Sequence, residues 1–261
     1  MHRAAILVSL VSLGCTDTFA LPVLDGGTII PPADAAPDGN TIAAACQDSG
    51  CTMDGDVVAS GGMLTGCHIY GTFQVTSTVT ARDFKACAQS IIIGGTLSAD
   101  AQGEDPGAGP GGGEICGSGG GHGGRGGPLA CAGGVTYGDM NMPRERGSGG
   151  GGLSGGRGGG TIELHALMLQ LSGTVSANGE DSQAGVVSGG GAGGSILVVA
   201  DSISGNGAMH AGGGSGGLGG GGGGGRIAVY GALTGIPTFD ALGGGSNVSS
   251  SVGNPGSIVR P

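Results

Sequence analysis

Apolar residues alternate with polar or small residues in several short stretches of the chain. The clearest stretch has apolar side chains at Ile162, Leu164 and Ala166, and it continues with Leu169 and Leu171. Period-two alternation is typical of a β-strand that buries one face and exposes the other. We therefore predict short strands with one buried face, separated by segments in which glycine dominates.

The same arrangement recurs along the second half of the chain. Isoleucine returns at a nearly constant interval, and the aligned positions are Ile162, Ile196, Ile227 and Ile258. The first three are each followed, at a nearly equal distance, by a second apolar position, at Val175, Met209 and Phe239. An earlier copy has the same internal spacing, from Phe84 to Leu97. The chain is therefore interpreted as a set of structural repeats.

A single unit of this kind cannot bury its own apolar face, whereas stacked units can. We expect an all-β fold: a parallel β-helix-like solenoid of four to five short units with long glycine-rich loops, over residues 56–261. The longest loop is an insertion over residues 103–158, and residues 71–80 add a less regular unit that caps the stack. The loops are expected to be mobile or packed as extended polyglycine. A flat or rolled β-sandwich is the alternative fold.

The N-terminal part of the chain, residues 1–55, has a different character. The apolar run at 4–13 is too short to span a bilayer, which needs about 20 residues, and residues 1–14 are predicted to be a signal peptide. Cleavage after the lipobox-like Ser12-Leu13-Gly14 would make Cys15 the lipidation site, and Thr18-Phe19-Ala20 is a competing site for ordinary signal peptidase. Residues 15–55, rich in Pro, Ala and Asp, are predicted to form an extended tether.

Composition and charge exclude several classes of protein. Glycine accounts for 68 of the 261 residues, charged residues for 11% and aromatic residues for 3%, which disfavours an ordinary enzyme domain. The formal net charge is −10 and Lys85 is the only lysine, so nucleic acid is excluded as a partner because its binding needs a basic surface. Arg125, Arg157 and Arg226 stand among glycines and are interpreted as solvated loop residues.

The cysteine count fits an exported protein. Seven cysteines are present, and a lipidated Cys15 would leave an even number, which suggests three disulfides in an oxidising compartment. The remaining cysteines are Cys46, Cys51, Cys67, Cys87, Cys116 and Cys131. We predict sequential pairing, Cys46–Cys51, Cys67–Cys87 and Cys116–Cys131; the alternative is that one or more of them are buried free thiols.

Two acidic pairs occupy equivalent places in two repeats. Glu104 and Asp105 follow one predicted strand, and Glu180 and Asp181 follow another. Stacked units would bring these carboxylates to one edge, which could hold Ca²⁺ through carboxylate oxygens or a sugar-cleaving acid pair. Solvated loop acids are the preferred interpretation, so we expect no cofactor other than this candidate calcium edge.

Three threonines alternate on one predicted strand, at Thr76, Thr78 and Thr80. Threonine rows are used by ice-binding solenoids. In this sequence the row is confined to one strand and no later unit repeats it, so we interpret these residues as ordinary β formers.

The order of the glycine motifs resembles that of glycine-rich repeat proteins of bacterial surfaces. The matching elements, within roughly residues 84–261, are the glycine-rich run at 119–127, Tyr137-Gly-Asp139, Pro143, the run at 147–151 and the strand start at 158–162. The resemblance implies a surface or secreted location and a β-rich, solenoid-like fold. It nominates no catalytic residue, because the family has no settled activity.

These observations predict a structural or adhesive protein of the bacterial cell envelope, either an outer-membrane lipoprotein or a secreted protein. Its expected partners are the membrane, through a lipid anchor, and an extracellular glycan or surface protein. We expect no catalytic activity. The alternatives are a polysaccharide lyase or hydrolase and a calcium-dependent glycan-binding module, both on a β-helix.

Overall fold

The computed structural model describes residues 50–260, which contain eleven β-strands joined by ten parallel pairings. The strands are β1 (Thr52–Ala59), β2 (Met63–Val75), β3 (Thr78–Ile93), β4 (Thr96–Ser98), β5 (Thr161–Leu171), β6 (Thr174–Ser176), β7 (Ser195–Ser204), β8 (Ala208–His210), β9 (Arg226–Leu233), β10 (Thr238–Asp240) and β11 (Ser257–Val259). This part of the chain contains no helix that could span a membrane. The predicted signal peptide, Cys15, Cys46 and most of the predicted tether lie outside the described residues.

The strands stack in two columns. The long column runs from the second half of β3 through β5, β7 and β9 to β11, and the short column runs from the first residues of β3 through β4, β6, β8 and β10. Each later coil therefore contains one long strand, one short strand and two glycine-rich segments, one that leaves the short strand and one that leads back to the next long strand. This is the expected all-β parallel β-helix-like solenoid. At the other end, β1 and β2 add earlier coils, and β1, not residues 71–80, is the outermost strand.

The repeats deduced from spacing are in register in the structure. Ile162 pairs with Ile196, which pairs with Ile227, which pairs with Ile258. The second apolar positions align in the short column, and these are Leu97, Val175, Met209 and Phe239. Inward-facing residues of both columns belong to one hydrophobic cluster. The repeat spacing is thus the length of one solenoid coil.

The glycine-rich segments form an ordered bundle beside the strands. Of the two alternatives expected for the loops, mobile or packed as extended polyglycine, the structure has the packed one. Outgoing segments leave the short strands, at 99–104, 177–182, 211–216 and 241–245. Returning segments lead back to the long strands, at 156–160, 189–194, 220–225 and 251–256. Two segments of the insertion, 117–127 and 147–151, form a third layer on the other side of the returning segments.

Backbone hydrogen bonds within the bundle repeat with a period of three. In the returning segment 189–194, Gly190 and Gly193 donate their N–H groups to Gly220 and Gly223 of the next coil. The other N–H groups of this segment donate either to the outgoing segments or to the two segments of the insertion, which we call the insertion layer. A period of three matches the polyproline II helix, which makes no internal hydrogen bonds and must satisfy its backbone groups elsewhere. The bundle satisfies them by contact between segments.

The disulfides correct the predicted pairing. Cys51 bonds to Cys67, because adjacent coils place these residues side by side with their Cα atoms 4.4 Å apart. Cys67 lies opposite Lys85 in the register, so the predicted pairs Cys46–Cys51 and Cys67–Cys87 are wrong. Cys87 is also disulfide-bonded. The predicted Cys116–Cys131 bond is present.

Candidate functional site

A segment of the insertion lies across the outer face of the long column. This segment, residues 137–146, is called the strap. Ser195 Oγ, at the start of β7, donates to the carbonyl oxygen of Glu145 at 2.6 Å. Arg226, at the start of β9, donates from Nε and Nη2 to the carbonyl oxygen of Tyr137 at 3.0 and 2.8 Å. The strap therefore covers outward-facing residues of the strands that would otherwise meet solvent.

Charged residues converge where the strap crosses β3 and β5. Glu163 Oε1 lies 2.5 Å from His165 Nε2, 3.0 Å from Arg144 Nη2 and 3.6 Å from Lys85 Nζ. Burial raises the pKa of Glu163, but the hydrogen bond from His165 and the charges of His165, Lys85 and Arg144 outweigh burial and lower this pKa to about 2. Glu163 is therefore ionised throughout the physiological pH range.

A second ion pair anchors the end of the strap. Arg146 donates from Nε to Asp83 Oδ1 at 2.7 Å, contacts Asp83 Oδ2 through Nη2, and lies 3.6 Å from Glu104 through Nη1. The hydrogen bonds from Arg146 hold the pKa of Asp83 below its usual range. Asp83 has a positive φ of 48° where β2 and β3 change register, an arrangement that directs its carboxylate towards the strap.

The two ion clusters border a small cleft of about 100 Å³. Its lining residues are Asp83, Phe84, Lys85, Pro143, Arg144, Thr161, Ile162 and Glu163. Ligand pockets for drug-sized molecules have volumes of about 300–1,000 Å³. The cleft is thus large enough for a few water molecules or a small ion, and its charged groups are already paired with one another.

His122 is fully buried where the insertion layer meets the returning segments. Its Nδ1 donates to the carbonyl oxygen of Gly193 at 2.8 Å, and its ring lies 4.8 Å from that of Tyr137 between centroids. Its Nε2 is buried and has no partner among the described residues. Burial lowers the pKa of His122 to about 4. The residue is therefore a neutral Nδ1–H tautomer at neutral pH, and its hydrogen bond joins the insertion to the returning segment that contains Gly193.

The isolated arginines have different environments, which corrects their interpretation as solvated loop residues. Arg226 is buried and also donates from Nη1 to Ser257 Oγ at 2.9 Å. Arg157 is part of an ion pair with Asp105, whereas Arg125 is exposed as expected. The burial of Arg226 could not be predicted from the sequence, because the strap that covers it belongs to the insertion, which is distant from Arg226 in the chain.

The four carboxylates of the predicted acidic edge are engaged by two arginine side chains and two backbone N–H groups. Arg157 donates from Nε to Asp105 Oδ1 at 2.9 Å, and its backbone N–H donates to Glu180 Oε2 at 3.0 Å. Glu104 faces Arg146, and Asp181 Oδ1 accepts from the N–H of Ser215 at 2.5 Å. Arg157 thus brings Asp105 and Glu180 together while competing with any cation for them.

Metal-ligating side chains do not form a cluster in residues 50–260, where no group of three or more His, Cys, Asp or Glu could hold a metal ion. Calcium binding at Glu104, Asp105, Glu180 and Asp181 stays a prediction.

The threonine row extends over several units, contrary to the sequence interpretation. Thr78 pairs with Thr96, which pairs with Thr174, and the row continues through Ala208 to Thr238 in the short column. Coils of unequal length, including the one that carries the insertion, conceal this alignment in the sequence. The neighbouring row is mixed, with Thr80, Ser98, Ser176, His210 and Asp240, so the threonine ladder is a single row wide.

The bundle ends, away from the strands, in six turns that we call the distal turns. They comprise residues 114–117, 128–132, 152–155, 183–188, 216–219 and 245–250. Five of them carry one exposed aliphatic side chain each, with the exposed fraction in parentheses: Ile115 (79%), Leu153 (92%), Val187 (54%), Leu218 (43%) and Val248 (37%). Sequence analysis missed these residues, although each is an aliphatic residue within a Gly- and Ser-rich turn.

No protein-family model, curated protein or solved structure matches this chain. The described part is a parallel β-solenoid with a glycine bundle.

Proposed function

We propose that this protein is an exported, lipid-anchored surface protein with a structural or adhesive role and without catalytic activity. The observation that carries the proposal is the position of the distal turns. The bundle ends in these turns, and its hydrogen bonds order the segments that lead to them. A rigid support that presents several turns together is suited to binding another surface.

Two further observations support this proposal. The Cys51–Cys67 and Cys116–Cys131 disulfides are typical of proteins in oxidising compartments. The cleft beneath the strap is small, and its carboxylates are engaged by Arg144, Arg146 and Lys85. Binding through the surface is therefore favoured over turnover of a polysaccharide in this cleft.

The anchor is tested by fractionating bacteria that express the full chain. We expect the wild-type protein in the membrane fraction, released by detergent and carrying acyl chains on Cys15 by mass spectrometry. Cys15→Ala should move it to the soluble fraction, while the neighbouring substitution Thr16→Ala should leave it in the membrane. Retention of Cys15→Ala in the membrane would contradict lipidation at this residue.

The adhesive role is tested by presenting the full chain on vesicles to panels of immobilised glycans and extracellular proteins. The panels are run with calcium and with a chelator, and soluble products are measured in parallel. We expect binding without product release. Released sugar would overturn the proposal in favour of an enzyme. Binding that is lost in chelator and in the Glu180→Gln/Asp181→Asn variant would show that the ligand binds at the acidic edge in a calcium-dependent manner.

A further inference from the structure

We infer that the five aliphatic side chains of the distal turns form one docking surface for a protein partner that is apolar at its centre and basic at its margin. The inference rests on the proposed surface role and names the partner of the same turns. The side chains concerned are Ile115, Leu153, Val187, Leu218 and Val248.

The distal turns touch one another, so their side chains share one surface. Val187 forms an isolated antiparallel bridge with Gly217 in the next turn. The N–H of Asn247 donates to the carbonyl oxygen of Gly217 at 2.8 Å, which joins a third turn. On the other side, the N–H of Gln183 donates to the carbonyl oxygen of Ser154 at 3.1 Å. Turns from three successive coils and from the insertion therefore lie side by side.

The remaining two turns are joined to this group by the insertion layer. The N–H of Gly220 donates to the carbonyl oxygen of Gly117 at 2.9 Å, beside Ile115. The Cys116–Cys131 disulfide links the turn that carries Ile115 to the turn at 128–132. These links order the surface before it meets a partner, which lowers the entropy lost on binding.

Exposed aliphatic residues at this position are unexpected for a scaffold built from glycine. Monomeric proteins rarely expose contiguous apolar patches above a few hundred Å², and larger patches mark interaction sites. The exposed fractions range from 37% at Val248 to 92% at Leu153. The interior of the bundle consists of glycine and small residues, and five branched aliphatic residues lie at its turns, where they contact solvent.

The charges and the lack of aromatic residues select the partner's chemistry. The distal turns contain no lysine, arginine or aromatic residue, while Glu114 within them and Asp181 beside them are acidic and exposed. The whole chain carries a net charge of −10, which attracts basic surfaces and repels anionic lipid. Sugar rings stack on aromatic side chains, which these turns lack. An apolar protein surface with Lys or Arg at its rim is therefore complementary.

The test uses the full-length oxidised chain and three synthetic peptides in a fluorescence anisotropy assay. One peptide is an amphipathic Lys/Leu sequence, the second replaces Lys with Glu, and the third replaces Leu with Ser. We expect the wild-type protein to bind the Lys/Leu peptide and neither of the others. Ile115→Ser/Leu153→Ser should weaken this binding by about tenfold or more, as for residues at the centre of an interface.

The matched control is Ile236→Ser/Leu242→Ser, since these residues are 79% and 64% exposed outside the distal turns. The control should bind within about twofold of the wild type, the usual range for surface substitutions. Equal losses in both double variants, or equal binding of the Glu/Leu peptide, would overturn the inference. In the Cys15→Ala background, which removes the proposed lipid anchor, binding to phosphatidylcholine vesicles that is lost in Ile115→Ser/Leu153→Ser would overturn it in favour of a lipid surface.

Each of the two proposals can be contradicted by a result that leaves the other standing. A membrane-anchored chain whose Ile115→Ser/Leu153→Ser variant binds like the wild type would overturn this inference alone. A chain that stays out of the membrane fraction yet binds the Lys/Leu peptide through the distal turns would overturn the proposed function alone.

Discussion

Glycine is required in the bundle because neighbouring carbonyl oxygens occupy the space of a β-carbon. A β-carbon on Gly191 would overlap the carbonyl oxygen of Arg157, and one on Gly222 would overlap that of Gly191. Backbone atoms cannot move away without breaking the hydrogen bonds that join the segments. The high glycine content is therefore a packing requirement of adjacent backbones, and the same composition is not evidence of mobile loops.

We predict that Gly222→Ala lowers the free energy of unfolding by about 3 kcal/mol, the upper range for overpacking a tightly packed interior. The control is Gly61→Ala, since a β-carbon at this position would meet no atom within 4 Å. It should change stability by less than about 1 kcal/mol. Urea denaturation measures both, and equal stability of the two variants would contradict the packing argument.

His122 makes stability depend on pH because its folded and unfolded states bind protons differently. Burial lowers the pKa of His122 from 6.5 to about 4 in the folded protein. Between these values the unfolded chain takes up a proton that the folded chain does not. The free energy of unfolding therefore falls as the pH falls from 6.5 to 4, and the contribution of His122 becomes constant below pH 4.

We predict that this residue accounts for a loss of about 3 kcal/mol of stability between pH 6.5 and pH 4. His122→Asn keeps a donor near the Nδ1 position and removes the titration, so its stability curve should be flatter across this window. Gln170→Asn changes an exposed residue of β5 that does not titrate and should keep the wild-type slope. Denaturant melts at a series of pH values provide the measurement. A wild-type slope in His122→Asn would assign the pH dependence to other groups.

At the scale of the elements, the last returning segment differs from the others at the positions that face the next coil. In earlier returning segments these positions are glycines whose N–H groups donate to carbonyl oxygens of the returning segment in the next coil, as Gly190 does to Gly220 and Gly221 does to Ser251. The equivalent residues of segment 251–256 are Val252 and Pro255, and proline has no N–H to donate. A side chain and a missing donor therefore make this face of the bundle unsuited to further stacking.

We predict that Val252→Gly/Pro255→Gly restores the stacking pattern and promotes association between copies through this face. Exposed backbone donors and acceptors in a regular row are templates for pairing with another chain. Val135→Gly/Pro106→Gly, at two exposed positions of the insertion, should leave the protein in its wild-type state of association. Sedimentation velocity at increasing protein concentration distinguishes them, and identical profiles would show that these residues do not block stacking.

At the scale of the whole molecule, every later coil passes through both the strands and the bundle. The returning segment 189–194 leads directly into β7, and the outgoing segment 177–182 begins where β6 ends. Neither part can separate from the other without breaking backbone hydrogen bonds in every coil. The strands contribute apolar burial, and the bundle contributes hydrogen bonds and close backbone packing.

We predict that amide hydrogens of segments 189–194 and 220–225 exchange nearly as slowly as those of β5 and β7. Their N–H groups are buried and bonded between segments, which protects them until the structure opens. The exposed turn at 245–250 should exchange fast and serves as the internal control. Hydrogen–deuterium exchange with mass spectrometry makes the comparison, and rapid exchange of both glycine segments would contradict an ordered bundle.

The sequence by itself determined the alternating strands of the later coils and the alignment of their repeats, and it favoured a parallel solenoid over a β-sandwich. Alternation identifies the buried face because side chains of a strand point to opposite sides, and equal spacing identifies one coil. These are local signals, so Ile162, Ile196, Ile227 and Ile258 can be aligned from the sequence alone. The sequence also limited the glycine segments to two outcomes, mobile or packed.

Only the tertiary structure decided which residues of distant segments meet. The strap over Arg226, the Cys51–Cys67 bond and the pairing of Asp105 with Arg157 all join residues whose separation in the chain carries no periodic signal. Glycine has no side chain with which to specify a partner, so the order of segments in the bundle is set by the strands to which they are connected. The candidate docking surface is therefore a property of the assembled coils.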